Sequence, residues 1–390
     1  MTTNTNTSTS TPTSTPAPQA KSARPPADPA RQRAGRSARH RDVRWRLVLL
    51  ALGGVSLLAG LDAALLALGT WAPVRASHLP DVHGMVMVLG FLGTLIALER
   101  AQALRQPWAY LAPGLLGSGG IALAFGLPRL IGQLLLLEGT VLFALVYLAL
   151  YRRAPQPLVA VQVLSTVPAI AAAALWLVTD VSVLVPLMAA FVVVTIAAER
   201  AELAQLGMGP HAVPRLVALA ILTVLSAVAA LLWPPAGSRL FGAALVAIAL
   251  WLMRDDVARR LVRTHGFRRY NGAALLAGYG WLTLAGLVWL TAGTPSSQGA
   301  YDVVIHATFL GFGLSMVMAH APTIFPAVLG RPLPYRPVLW LPLGLLHGGL
   351  VARVAGDVLG GGPLWQAGSV VTVVALLVFV LTAAVVVVRA

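Results

Sequence analysis

Three histidines, His306, His320 and His347, lie within a stretch of sequence that is apolar enough to sit inside a lipid bilayer. Neutral imidazole nitrogens bind haem iron and copper, and they also relay protons. An ionisable side chain at membrane depth is costly to bury, so each of these histidines is a candidate functional residue.

The composition indicates a polytopic membrane protein. Hydrophobic residues make up 58% of the 390 residues and charged residues only 11%, whereas soluble domains carry about 25% charged residues. The net charge of +15 comes mostly from arginines at the ends of apolar segments and near the N-terminus, which fits membrane topology better than a nucleic-acid partner. The chain has no cysteine, which excludes iron–sulfur clusters, covalently attached c-type haem and thiolate copper sites.

Residues 1–44 differ from the rest of the chain. They contain a Ser/Thr/Pro-rich stretch followed by an arginine-rich run, and neither part can bury an apolar core. We therefore predict a disordered, basic cytoplasmic tail over 1–44, able to contact anionic lipid, and a membrane domain over 45–390.

Apolar runs of about 20 residues fill the membrane domain, the length that crosses the hydrocarbon core of a bilayer as a helix. We predict an all-α protein with twelve spans, at 47–71, 83–101, 108–127, 129–151, 157–178, 181–199, 214–234, 238–254, 272–292, 301–321, 337–356 and 366–388. With the N-terminus inside, only four of the 28 Lys and Arg lie outside, at Arg75, Arg129, Arg239 and Arg353. This asymmetry follows the positive-inside rule and predicts that both termini are cytoplasmic.

Spans 2, 6 and 10 share a sequence frame. Span 2 ends LGFLGTLIALERA and span 6 ends AAFVVVTIAAERA, which gives Glu99-Arg100 and Glu199-Arg200 equivalent places. Aligning the LGF of 89–91 with that of 310–312 puts His320 where the other two spans carry glutamate. Because these spans are four apart, we predict three quasi-equivalent four-helix units, with chance similarity of apolar segments as the alternative. We expect the Glu-Arg pairs to form local ion pairs at the inner ends of the helices.

The predicted topology places His83 and His306 at similar depth. His83 opens span 2 and His306 lies in the outer part of span 10, and in a three-unit arrangement these spans can face each other. Two neutral imidazoles on facing helices are what the bis-histidine ligation of a b-type haem needs. We therefore predict His83 and His306 as haem ligands.

Two segments resemble the NnrS family: HATFLGFGLSMVMAHAPTIFPAVLGRPL, which is similar to its C-terminal part, and LPDVHGMVMVLGFLGTLIA, in which a histidine enters a Met-Gly-Phe helix. The resemblance implies a twelve-span bacterial inner-membrane protein that contains haem and copper and is associated with nitric oxide metabolism. Such an architecture is similar to the catalytic subunit of haem–copper oxidases and nitric oxide reductases, in which helices 2 and 10 supply low-spin haem ligands. Carried over by position, it implies His83 and His306 as haem b ligands, copper as a second cofactor, and nitric oxide or another diatomic molecule as a ligand.

The chain departs from haem–copper oxidases at the copper site. Those enzymes carry histidines on helix 6 and a His-His pair on helix 7, and the corresponding predicted spans contain no histidine. Span 10 also lacks a second histidine two residues before His306. Oxygen reduction at the usual binuclear centre is therefore not expected. If the chain is an enzyme, an oxidoreductase is the class implied, and sensing, protection and turnover all stay open.

Other polar residues in the spans have two interpretations each. His347 is either a haem or copper ligand or a structural histidine bonded to a carbonyl, and His320 is either a copper or proton-relay residue or a helix-end histidine. Arg353 is the preferred partner of a haem propionate, with pairing to Asp357 one turn on as the alternative.

Three further residues could belong to polar sites. His78 and His83 have a spacing that permits an external metal site, although a solvated loop histidine is the simpler interpretation of His78. Asp62 and Glu138 lie within predicted spans, where each must be protonated, paired or facing a wet cavity. Such carboxyls could serve a proton path or bond a neighbouring helix.

Two other classes of protein compete with a haem protein. Twelve spans is also the size of major-facilitator transporters, which have two six-helix halves, a long central cytoplasmic loop and a Gly-Asp-Arg-type motif between helices 2 and 3. Here the loop after span 6 is short, and ERAQALRQP carries no such motif. A cofactor-free membrane assembly factor is the third class, in which the histidines would have no ligand.

Overall fold

The structure, a computed structural model, describes residues 1–4 and 29–389, with the side chains of 1–4 and of 44–389 apart from 327 and 329. Its regular elements are helical, with no β-strand in the part described. The chain divides into two units, Met1–Asp42 and Val43–Ala390, and the second contains the apolar helices. Of the predicted disordered tail, 5–28 lies outside the described residues, and the first helix already begins at Pro29.

In the part of the chain that the structure describes, twelve long helices follow one another, and each overlaps one predicted span. They are α1 Pro29–Ala67, α2 Leu79–Leu104, α3 Leu111–Ala124, α4 Arg129–Arg153, α5 Pro157–Leu175, α6 Val181–Ala204, α7 Ala212–Leu232, α8 Pro234–Asp255, α9 Gly266–Ala292, α10 Gln298–Pro326, α11 Trp340–Val358 and α12 Pro363–Val388. Eleven of them are long and apolar enough to cross a membrane, α1 through its Arg44–Ala67 part. The exception is α3, which together with the 3₁₀ turn Pro107–Tyr110 is about 29 Å long.

The second helix begins earlier than predicted. It starts at Leu79, with Pro80 in its first turn. A proline is well tolerated there, because the backbone N–H groups of the first turn have no partner within the helix and the fixed φ of proline suits a helix. His83 therefore lies one turn inside α2 and does not open the helix, as the predicted boundary had it. The error arose because the polar residues His78, Pro80 and Asp81 hide the helical start from a hydropathy pattern.

Helices α2, α6 and α10 form the centre of the second unit. Within their apolar windows 72, 83 and 78% of the residues are buried, against 33–56% for the other eight candidate spans. Their contacts meet in the middle of the bundle, where Gly313 of α10 approaches Leu92 of α2 and Val192 of α6. The remaining helices pack around these three, and Gln366 of α12 bonds the carbonyl of Leu68 just after α1. The central helices are four apart in the chain, which is the spacing of the predicted repeat.

The three central helices run in the same direction. Gly84, near the start of α2, packs against Val181 at the start of α6, and Arg100 contacts Glu199 near the ends of both helices. Both α2 and α10 widen into a π-helical segment of eight residues, Val86–Gly93 and Ala307–Leu314. Long π segments are rare and occur often at functional sites. In both helices the segment begins shortly after a predicted haem ligand.

Small residues let the helices approach closely around α2. A Cβ added to Gly90 would lie 3.0 Å from the Cα of Gly120 on α3, which is closer than most Cβ contacts in proteins. On the outside of the bundle, large apolar side chains such as Leu145, Leu225 and Leu381 are exposed. Such a surface is unfavourable in water and is compatible with embedding in lipid. The structure thus confirms an all-helical, membrane-compatible architecture.

Candidate functional site

His83 is held by a backbone carbonyl of a neighbouring helix. Its Nδ1 lies 2.9 Å from the carbonyl oxygen of Gly60 on α1. A carbonyl only accepts hydrogen bonds, so Nδ1 carries the proton and Nε2 keeps its lone pair. Within the part of the chain that the structure describes, Nε2 of His83 makes no hydrogen bond.

His306 has the same arrangement on α10. Its Nδ1 lies 2.9 Å from the carbonyl oxygen of Asp302 and 3.2 Å from the Oδ1 atom of the same residue. Both contacts hold the proton on Nδ1, and Nε2 of His306 has no hydrogen-bond partner among the described residues. Ligating histidines usually donate their second ring N–H in this way, which fixes the tautomer and the orientation of the ring.

Both histidines line one apolar cleft between α1, α2, α10, α11 and α12. Its polar lining residues besides the two histidines are Arg353, Ser369 and Thr372, and the other lining side chains are aliphatic, methionine or phenylalanine. The space between them that water-sized molecules can occupy is about 50 Å³. Small-molecule sites usually measure about 300–1,000 Å³, so a ligand of that size would have to widen the cleft. A second, almost wholly apolar groove of about 360 Å³ adjoins it at Leu314 and Leu376.

Arg353 reaches this cleft but is already paired. Its Nε and Nη2 donate to the two carboxylate oxygens of Asp302, each at 2.6 Å. Asp302 is 5% exposed and Arg353 is 8% exposed, so the ion pair is buried. The alternative expectation, an ion pair with Asp357, is not what the structure contains. Sequence reasoning missed Asp302, whose signal was its position four residues before His306 on one helix face.

His347 is placed differently from the other two predicted ligands. It does not line the cleft, and its Nδ1 accepts a hydrogen bond from the indole Nε1 of Trp281 at 2.9 Å. Because an indole only donates, the proton of the neutral ring lies on Nε2, which is buried and has no partner among the described residues. The structure places His83 and His306 in one cleft and His347 outside it. In His347 the roles of the ring nitrogens are reversed, because Nδ1 accepts a hydrogen bond and Nε2 carries the proton.

His320 belongs to a buried polar network at the inner ends of the helices. Its Nε2 accepts from Nη1 of Arg200 at 2.9 Å, and its ring bonds the backbone of Met316. Arg200 also forms an ion pair with Asp256, which in turn accepts from the hydroxyl of Tyr279. Both ring nitrogens of His320 are thus engaged within the protein, which favours its structural interpretation over copper ligation.

The shared sequence frame corresponds to a repeated contact. Arg100 of α2 lies 3.4 Å from Glu199 of α6, and Arg200 of α6 bonds His320 of α10. The aligned residues of the three units are Glu99, Glu199 and His320. In both contacts, the arginine that follows the aligned residue of one unit contacts the aligned residue of the next unit. Local ion pairing is confirmed for Arg100 with Glu99 at 2.6 Å, whereas Arg200 pairs with Asp256 and not with its neighbour Glu199.

The remaining predicted polar residues have separate surroundings. His78 lies 3.2 Å from the carbonyl oxygen of Ala124 through its Nε2, and Asp62 accepts from the backbone N–H of Val74. Glu138 lies on an exposed face of α4. No group of three or more His, Cys, Asp or Glu residues suited to a metal ion occurs among the described residues. The site with the clearest ligand chemistry is therefore the two-histidine cleft.

The fold and the cleft define an all-helical protein whose long apolar helices are compatible with a polytopic membrane protein, with two histidines in an apolar cleft between those helices. The chain belongs to a family described as a domain of unknown function (DUF8744), whose sequence profile matches residues 46–388. No curated protein and no solved structure matches the chain.

Proposed function

We propose that the protein binds one b-type haem in the cleft, with His83 and His306 as the axial ligands. The observation that carries this proposal is that two histidines on α2 and α10 line one cleft, and each donates Nδ1–H to a carbonyl while its Nε2 has no partner among the described residues. The other two candidate histidines differ, because His320 has both ring nitrogens bonded within the protein and His347 carries its proton on Nε2.

The residues of the cleft fit such a group. Imidazole nitrogens are common axial ligands of haem iron, and apolar walls exclude water from a porphyrin. Arg353, Ser369 and Thr372 supply polar contacts at the edge of an otherwise apolar space, where propionate groups need them. Arg353 still has Nη1 for such a contact while its Nε and Nη2 hold Asp302. When bound, the haem would supply one-electron transfer.

The proposed topology has twelve spans in three four-helix units, with both termini cytoplasmic. The central placement of α2, α6 and α10 supports three units, and the 29 Å length of α3 with its preceding turn is close to the thickness of a hydrocarbon core. A major-facilitator carrier would instead have two six-helix halves. The charge asymmetry of the sequence supports the orientation, and we place the protein in a bacterial inner membrane by its resemblance to the NnrS family.

We further propose a role in the nitric oxide response or in respiratory redox metabolism. This part rests on the two segments that resemble the NnrS family, which include both His83 and His306. Copper is a secondary proposal because His320 and His347 each have one ring nitrogen engaged by a neighbouring side chain. Metal analysis of the purified protein tests for copper directly, and less than one tenth of an equivalent would exclude it as a resident cofactor.

Visible spectroscopy tests the haem proposal. Protein purified in mild detergent after expression with haem supplementation should show a Soret band, and dithionite should sharpen the α and β bands as in six-coordinate, low-spin haem. Preparations without a Soret band in either oxidation state would refute the proposal and favour a carrier or an assembly factor.

Three single variants assign the ligands. His83→Ala and His306→Ala should each abolish the low-spin spectrum, because each removes one axial nitrogen. His347→Ala is the matched control, a histidine in a neighbouring span that does not line the cleft, and it should keep the spectrum. A spectrum that survives both His83→Ala and His306→Ala, or that is lost only in His347→Ala, would contradict the assignment.

A further inference from the structure

Asp302 contacts both a proposed haem ligand and the arginine of the cleft. Its Oδ1 lies 3.2 Å from Nδ1 of His306 and 2.6 Å from Nη2 of Arg353, while its Oδ2 accepts from Nε of the same arginine at 2.6 Å. The carboxylate is therefore shared between an imidazole and a guanidinium. Two parallel bonds from Arg353 fix the plane of the carboxylate, so it cannot rotate away from His306.

The contact is continued by a third helix. The guanidinium of Arg353 lies over the ring of Trp365, with 5.4 Å between Cζ and the ring centroid. Trp365 is in the first turn of α12, Arg353 is on α11, and Asp302 and His306 are on α10. Residues of α10, α11 and α12 thus form a chain of contacts behind Nδ1 of His306.

The other histidine of the cleft has no such support. Nδ1 of His83 contacts the neutral carbonyl of Gly60. No carboxylate lies within ion-pair distance of His83 among the described residues. The two imidazoles therefore differ in the charge of the group behind them, although their ring orientation is fixed in the same manner.

We propose that Asp302 is a positioning residue that makes His306 the stronger of two unequal iron ligands. This inference rests on the proposed function. Nδ1–H of His306 donates to the Asp302 carbonyl and also lies 3.2 Å from its carboxylate. A carboxylate this close to Nδ1–H raises the basicity of the imidazole, and a more basic imidazole donates more electron density to iron through Nε2. Electron donation stabilises ferric over ferrous iron, so Asp302 favours the oxidised haem.

The best variant removes both charges of the pair. Asp302→Asn alone would leave Arg353 buried without its partner, which is strongly destabilising, whereas neutralising both members of a buried ion pair is often nearly neutral. In the double variant Asp302→Asn/Arg353→Gln the net charge near the cleft equals that of the native chain. Losing the positive charge of Arg353 beside the haem would by itself favour ferric iron, so a shift toward ferrous iron in that variant reports loss of the carboxylate contact with His306.

Redox titration followed by visible absorption supplies the readout. We expect the ferrous-to-ferric ratio at any fixed potential to rise about tenfold in the double variant, about 59 mV for one electron. Asp62→Asn is the control, since Asp62 is a carboxylate near the cleft that accepts from Val74 and does not contact a histidine. The control should stay within twofold of the native chain. A double variant that also stays within twofold would overturn the inference while the haem proposal stands.

A second measurement needs no variant. In the ferrous, low-spin protein labelled with ¹⁵N-histidine, the Nδ1–H resonances of the two ligating histidines should differ, because the proton of His306 faces a carboxylate as well as a carbonyl and that of His83 faces a carbonyl alone. Two equivalent resonances would overturn the inference even if the double variant fails to fold. Native protein without bound haem would instead refute the proposed function.

Discussion

Breaking the buried ion pair between Arg200 and Asp256 by neutralising one partner should strongly destabilise the protein. The side chains of Arg200 and Asp256 are 5% and 0% exposed, and three nitrogen–oxygen contacts of 2.8, 3.0 and 3.2 Å join them. Asp256→Asn removes the charge but keeps the size, so it leaves Arg200 uncompensated in an apolar setting. Breaking a buried pair in this way costs about 3–5 kcal/mol, which lowers the folding equilibrium constant by about two to four orders of magnitude.

Denaturation in detergent micelles, followed by tryptophan fluorescence or circular dichroism, measures this loss. Glu202→Gln is the matched control, because Glu202 also contacts an arginine, Arg100 at 3.2 Å, but its side chain is 46% exposed. An exposed ion pair is worth about 0–1 kcal/mol. Adding Arg200→Gln to Asp256→Asn should recover more than half of the loss. A cost below about 1 kcal/mol for Asp256→Asn, or no recovery in the double variant, would refute the reasoning.

Three further predictions concern packing and backbone. Gly242→Ala should destabilise the protein by about 1–3 kcal/mol, because its Cβ would overlap the backbone of α9. Gly280→Ala, with open space around it, should stabilise the protein by about 0.5–1 kcal/mol. Thermal unfolding of the two variants checks both. Trp281→Phe should cost about 0.5–1.5 kcal/mol by removing the donor to His347, and it should leave any haem spectrum unchanged. Arg105→Gly should raise the thermal midpoint, because Arg105 ends α2 with φ of 58° and glycine adopts that conformation without a steric penalty; an unchanged or lower midpoint would contradict this.

The positions of the helices could be predicted from the sequence because span length and hydropathy are local properties. Each predicted span overlaps a helix, and the frame that relates Glu99, Glu199 and His320 corresponds to a repeated contact in space. The joint placement of His83 and His306 in one cleft followed from their similar depth on spans 2 and 10. These inferences depended on hydropathy, on the shared sequence frame and on the predicted topology.

The partners of the charged residues could not be predicted in the same way. Arg353 was predicted to contact a haem propionate, with Asp357 on its own helix as the alternative, but it pairs with Asp302 on α10. Arg200 pairs with Asp256 and not with its neighbour Glu199. Pairing between helices depends on their rotation and crossing angle, which local sequence does not specify. The tautomer of His347 likewise depends on Trp281, which lies 66 residues away in the chain.

The repeated arginine contact joins only two of the three pairs of central helices. Arginines join α2 to α6 and α6 to α10, but the third unit carries Ala321 where the other two carry arginine. Between Leu79–Leu104 and Gln298–Pro326, both fully described, no hydrogen bond or ion pair is formed. Polar contacts thus leave the distance between α2 and α10 unfixed, and these are the helices that carry His83 and His306. An iron atom bound by both histidines would link α2 to α10 directly, as the arginine contacts link α2 to α6 and α6 to α10.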